Sequence, residues 1–382
     1  MTKQVCIFEK QYSSLVDFIS EVDDRYTVRT EDDRFFNFDK MSVSLLRELE
    51  TNDYQQRNPD LIKHFVEQIL VEKGIYRDSS NPQLFEKKQP ALSIHQTLLT
   101  ASLVNRICRR LHCFFQPLLA VFLLAVAIVV HTIYIGQHIG NFSYTYIFTY
   151  SATDLLLVLA LSLFCSLIHE FGHASACHHF AGRAGEIGTG INMLVPVFFA
   201  NVSNIYTLTR RKKAIVSISG LYFQMLFGSV VMVFAYWYGQ LDKFITLYFM
   251  GFIFSLLPVY RNDGYWFIND LTNRHDLLSD SVAVIRRKKT ATALDILYSL
   301  FFVFSSLLVA VLVLRFLIYS GPTMFNEILS VSEIDFSIAL KSTLLVIHYI
   351  AIFFFFYALA KTALGFVFKT QEPTGINKND AS

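Results

Sequence analysis

The chain is poor in charge. Asp, Glu, Lys and Arg make up only 17% of its 382 residues, and the formal net charge is only +2. An ordinary soluble domain carries about 25% charged residues. So little charge, with so much apolar residue, excludes a disordered chain and a basic nucleic-acid-binding domain. Cysteine is scarce too: Cys6, Cys108, Cys113, Cys165 and Cys177 are scattered, with no C-x-x-C, which excludes a disulfide framework. No short apolar stretch with a small-residue cleavage site opens the chain, so the first hundred residues are expected to stay on the side where they are made. What is abundant is apolar surface: 53% of residues are hydrophobic and Phe alone occurs 37 times.

The charges are unevenly spread. Residues 1–113 carry 33 of the 64, which leaves 31 for the other 269 residues. This reads as a soluble head and a membrane body. A helix needs about 20 mostly apolar residues to cross a bilayer. Six candidates fit, at 114–135, 146–168, 214–238, 244–260, 293–319 and 342–360, the fourth being short. Basic residues orient such a bundle. Arg106, Arg109 and Arg110, then Arg210 to Lys213, then Arg286 to Lys289 all fall on the head side of six spans, while the opposite loops hold only Lys243 and Lys341. Both termini are therefore expected in the cytoplasm of a multi-pass inner-membrane protein. The stretch 191–208 is apolar but broken by Pro196, Asn201, Ser203 and Asn204, and reads as extended or re-entrant backbone.

The second span runs into His169-Glu170-Phe171-Gly172-His173, the pattern HExxH. Positions four apart share a helix face, so His169 and His173 can hold one zinc ion. Zinc acidifies a water, and Glu170 is placed to take its proton as it attacks a carbonyl. Ionisable side chains on a membrane helix are functional candidates by default. Zinc needs a third protein ligand and an open position. His178, His179, Glu186, Asp270 and Asp276 are candidates, but Asp263 is the better one. It follows Pro258 and precedes Gly264 at the end of the fourth span, on the same side as HExxH. Cys177 reads as a small buried thiol and Asp154 as a pairing residue within the bundle.

Together these residues resemble the site-2 protease family of intramembrane zinc metalloproteases. Its second motif, N-x-x-P-x-x-x-x-D-G, is matched here by Pro258, Asp263 and Gly264, with Ser255 in place of Asn. Ser219-Gly220 to Gln224 is similar to the family's G-P-x-x-N, with Leu221 for Pro and Gln224 for Asn. The resemblance implies a polytopic α-helical protease core with zinc on His169, His173 and Asp263. It implies Glu170 as general base and later proton donor, and Ser255, Gln224 and Asn201 on the substrate.

In the head, 26–38 predicts a hairpin, and a helix is expected near 41–51 with Val43, Leu45, Leu46 and Leu49 apolar. Asn58 and Pro59 are the N-cap and first residue of another helix, which Gly74 closes. This order resembles a small α+β winged-helix-like PqqD-type domain, which binds leader peptides of ribosomally made, modified peptides by adding a strand. The expected divisions are residues 1–76 for the head, 77–113 for a linker and a juxtamembrane amphipathic helix over 92–113, 114–368 for the protease and 369–382 for a tail. The leading expectation is a zinc metalloendopeptidase that matures a ribosomally made peptide for export, with the lipid bilayer, a peptide or membrane-protein substrate and an ABC-type exporter as partners and no nucleic acid. The alternatives are regulated cleavage of a signalling protein, or a receptor or immunity protein with a degenerate core.

Overall fold

The computed structural model describes residues 3–8, 10–22, 25–32, 34–78, 95–138, 151–192, 195–258, 261–274, 276–285, 290–315 and 318. The expected span at 342–360 and the tail lie outside them, as does most of the linker.

The head opens with two hairpins. Strands β1 (Lys3–Ile7) and β2 (Lys10–Ser14) pair antiparallel, as do β3 (Val16–Val22) and β4 (Arg25–Thr30). β5 (Phe35–Phe38) joins β4 through the turn at Thr30–Arg34, so the hairpin expected at 26–38 is present. Helix α1 (Lys40–Thr51) starts where the Asp39 carboxylate accepts from the Ser42 amide at 2.6 Å and ends at Asn52 in the left-handed conformation. Val43, Leu45, Leu46 and Leu49 are its buried side, as the spacing predicts. Helix α2 (Pro59–His64) has Asn58 as its cap and widens to a π-helix over Phe65–Val71. Gly74, with φ of 65°, turns the chain into β6 (Tyr76–Asp78), which pairs with β2. The head thus carries two three-stranded sheets, ordered β1-β2-β6 and β3-β4-β5, and is richer in strand than the expected order of strand, hairpin and two helices.

Polar contacts lock this small core. Arg34 donates to the carbonyls of Lys73 and Gly74 at 2.8 and 2.6 Å, tying the β4–β5 turn to the end of the π-helix. The Glu50 carboxylate accepts from Ser14 at 2.6 Å and from Tyr76 at 2.7 Å. These bonds satisfy groups that burial would otherwise leave costly.

After the head come β7 (His95–Leu99) and α3 (Ala101–Leu111). The amphipathic helix expected over 92–113 therefore begins only at Ala101. The preceding residues pair instead as a strand, His95 opposite Gly190 and Leu99 opposite Ile187. The long helices α4 (Pro117–His138) and α5 (Ala152–Ala181) follow, then strands β8 (Ile187–Asn192) and β9 (Val195–Ala200), in a sheet ordered β7-β8-β9. The extended backbone expected within 191–208 is these strands and a 3-10 turn at Ser203–Thr207. Helices α6 (Arg210–Ala235), α7 (Leu241–Leu256), α8 (Asp263–Thr272), α9 (Leu277–Ile285) and α10 (Ala293–Arg315) complete the described chain.

Among the described residues, three helices are long and apolar enough to cross a membrane: Pro117–His138, Thr153–Ala181 and Arg210–Ala235. Only 17% of the apolar window of the first is buried, so Leu118, Val121 and Phe122 leave large apolar surfaces exposed, as a lipid-facing helix would. α7, expected as the short fourth span, has 16 residues.

The chain divides into two compact units. The first holds Met1–Phe122, His169–Gly190 and Phe198–Gly220; the second holds Leu123–Ile168, Ile191–Val197 and Leu221–Ser382. In the first, the head's β3–β4–β5 sheet rests on the 3-10 turn at Ser203–Thr207. Arg29 donates to Asn204 at 2.9 Å, Ser20 to the Thr207 carbonyl at 3.1 Å, and Phe35 packs on Tyr206. Asp17 is ion-paired to both Arg29 and Arg183. In the second, Tyr134, Leu155, Val158, Met232, Phe244 and Tyr248 form an apolar core. Two polar pairs accompany it: His131 bonds Tyr248 at 2.8 Å, and Asp154 pairs with Lys243.

Candidate metal centre

His169, Glu170 and His173 lie on α5, where the four-residue spacing puts both imidazoles on one face. Their Nε2 atoms are 3.1 Å apart and the rings meet edge to face. The His173 Nδ1 lies 2.8 Å from the Val216 carbonyl of α6. A carbonyl only accepts, so Nδ1 carries a proton, which in the neutral ring leaves Nε2 as the metal-ligating nitrogen. Metal-ligating histidines are held this way, the second ring nitrogen donating to a carbonyl or carboxylate. A zinc ion about 2.0–2.1 Å from two nitrogens at this separation would see them at roughly 100°, close to tetrahedral.

Glycines permit this geometry. A methyl on Gly172 would stand 2.9 Å from the Ser219 carbonyl carbon, so only a bare backbone lets α5 and α6 approach there. A methyl on Gly220 would meet Nε2 of both histidines, 2.6 Å from that of His169. The missing side chain keeps open the space beside the two Nε2 atoms. That space and that donor set fit a zinc ion.

Asp263 is the first residue of α8, in the second unit. Asn262 caps this helix, accepting from the Tyr265 amide at 3.1 Å and donating to the Phe254 and Leu257 carbonyls at 2.7 and 2.8 Å. Gly264 packs directly on the Leu256 carbonyl, where no side chain would fit. The turn from α7 to α8 is thus fixed around Asp263, and the partial positive charge of the helix N-terminus favours its carboxylate.

The other sequence candidates are engaged elsewhere. His178 bonds Asn105 at 2.9 Å and His179 stacks on His112. Glu186 accepts from Asn201 at 3.2 Å, and both line a polar cavity of about 210 Å³ with Arg183, Ser203 and Phe35. Burial would raise the Asp276 carboxyl, but bonds from Tyr265, Ser279 and Arg261 outweigh it and hold it at about 2. Asp270 sits on α8, Ser255 in the last turn of α7 and Gln224 one turn beyond Gly220 on α6. Cys177 is fully buried, as expected. The Val216 carbonyl went unread in the sequence, because a backbone acceptor contributed by another helix leaves no mark in side-chain spacing.

A Bacillus subtilis (strain 168) protein bears likeness to this chain. It is named "Putative peptide zinc metalloprotease protein YydH", and the two are 20% identical over 206 residues, 52% of this chain and 77% of that protein. No family model matches the chain, and no solved structure matches it.

Proposed function

We propose that this chain is a multi-pass membrane zinc metallopeptidase that hydrolyses a peptide bond in a ribosomally made peptide, with its head and both termini on the cytoplasmic side. The observation that carries the reading is the pair of Nε2 atoms 3.1 Å apart on α5, with His173 fixed through Nδ1. The named likeness to a peptide zinc metalloprotease and the three long apolar helices support it.

His169 and His173 hold the ion in this reading, and Asp263 is the third ligand. An ion held there would supply a Lewis acid for the scissile carbonyl and for a water. Glu170 follows His169 directly; it takes the proton of the attacking water and returns it to the leaving amine. Asn201, Ser255 and Gln224 offer amide or hydroxyl groups to the substrate backbone. The head, docked on the Ser203–Thr207 turn that follows Asn201, is suited to deliver a leader-bearing peptide toward this end of α5.

Glu170→Gln is expected to keep zinc and to lose at least a hundredfold in cleavage of a leader-bearing peptide by purified, reconstituted protein. Cleavage at the wild-type rate by the pure variant would sink the assignment of the base.

A further inference from the structure

Three segments of the first unit meet beside the apolar helices, two of them rich in Arg and Lys and the third carrying a pair of histidines. α3 presents Arg106, Arg109 and Arg110 on its exposed side, opposite buried Val104 and Cys108. Just beyond α3, His112 stacks on His179 at the end of α5, with ring centroids 5.8 Å apart and planes 28° apart. His178 is 6.4 Å from the same His112 ring. The charge of Arg109 reaches His178, and that of Lys212, in the first turn of α6, reaches His179. No Asp or Glu occurs in residues 95–122, 173–185 or 203–222, from which these segments come. Fully apolar exposed surface begins within a few residues, with Leu118 90% exposed and Phe122 62% exposed.

Burial keeps the two histidines of α5 toward the neutral form, so the fixed charge here is that of Arg106, Arg109, Arg110 and Lys212, which repel one another and, with no carboxylate interspersed in their segments, draw a counter-charge from outside. Where this belt borders an apolar span, the matching anion is the phosphate of a lipid whose tails cover that span. We propose that this belt binds anionic phospholipid headgroups, with Arg106, Arg109 and Arg110 as its exposed anchors. This inference stands whether or not the chain is a peptidase. Each arginine near such a surface is worth about fivefold in preference for anionic over neutral lipid.

The test uses the full chain in nanodiscs of equal phosphatidylglycerol and phosphatidylcholine, with the lipids retained on the protein counted by native mass spectrometry. The wild type is expected to retain phosphatidylglycerol selectively. R106Q/R109Q/R110Q is expected to lower that preference by at least tenfold, and R106K/R109K/R110K, which keeps the charge, to preserve it. Three results would overturn the proposal: equal retention of both lipids by the wild type, undiminished preference in the triple Gln variant, or displacement of phosphatidylglycerol by inorganic phosphate alone. The last would mark a site for free phosphate instead.

Discussion

Replacing Gly220 by Ala is the sharpest perturbation of the metal centre, because it removes no ligand. The new methyl would lie 2.6 Å from Nε2 of His169 and closer still to that of His173. Ordinary carbon–nitrogen contacts are about 3.5 Å, so both rings would have to withdraw by roughly 1 Å. His173 can withdraw only by stretching its 2.8 Å bond to the Val216 carbonyl. Disturbing such a support costs about 10–100-fold in metal affinity, or about 1.4–2.7 kcal/mol. Competition between the detergent-purified protein and a chromophoric chelator reads this directly. Gly251→Ala is the control, since a methyl there meets nothing within 4 Å. Wild-type zinc affinity in Gly220→Ala would refute the reasoning, because the ion would then not sit in the space beside Gly220.

Other outcomes are specific to single contacts. Leu46→Ala, at a fully buried position of α1, is expected to cost about 2–5 kcal/mol of head stability, read as faster hydrogen exchange across residues 40–78 of the full chain. Arg34→Ala removes both carbonyl caps at Lys73 and Gly74, so exchange at the end of the π-helix should accelerate while α1 stays protected. The head should also weaken in acid. Asp32 is raised by burial but lowered more by bonds from Thr30 and Arg34, Asp39 is lowered by Ser42, and Glu48 by Arg57. All three have folded values below their ordinary 3.8 or 4.5, so their contribution is complete above about pH 5 and is lost as pH falls through the depressed values. Amide exchange or circular dichroism between pH 6 and 2 checks this; a head more stable at pH 3 than at pH 6 would contradict it.

Local signals carried far in this sequence. The stripe Val43, Leu45, Leu46, Leu49 announces α1, and Asn58-Pro59 announces α2, because caps and helical periodicity act within a few residues. HExxH places its two histidines on one face for the same reason. What escaped was built from distant partners. Residues 95–99 look like the start of α3, yet they take β8, about ninety residues later, as their partner. Strand β2 is short, and its pairing with β6, more than sixty residues later, shows only when the chain returns past α2. Gly172 and Gly220 are ordinary glycines until α5 and α6 touch.

The central claim is a zinc ion held by His169, His173 and Asp263. Metal analysis of purified wild-type protein beside Asp263→Ala and His179→Ala tests it most directly. About one zinc per chain is expected in the wild type and in His179→Ala, with loss in Asp263→Ala. A well-folded wild type that takes up no zinc when supplied with it, or zinc lost with His179→Ala and kept with Asp263→Ala, would contradict the account.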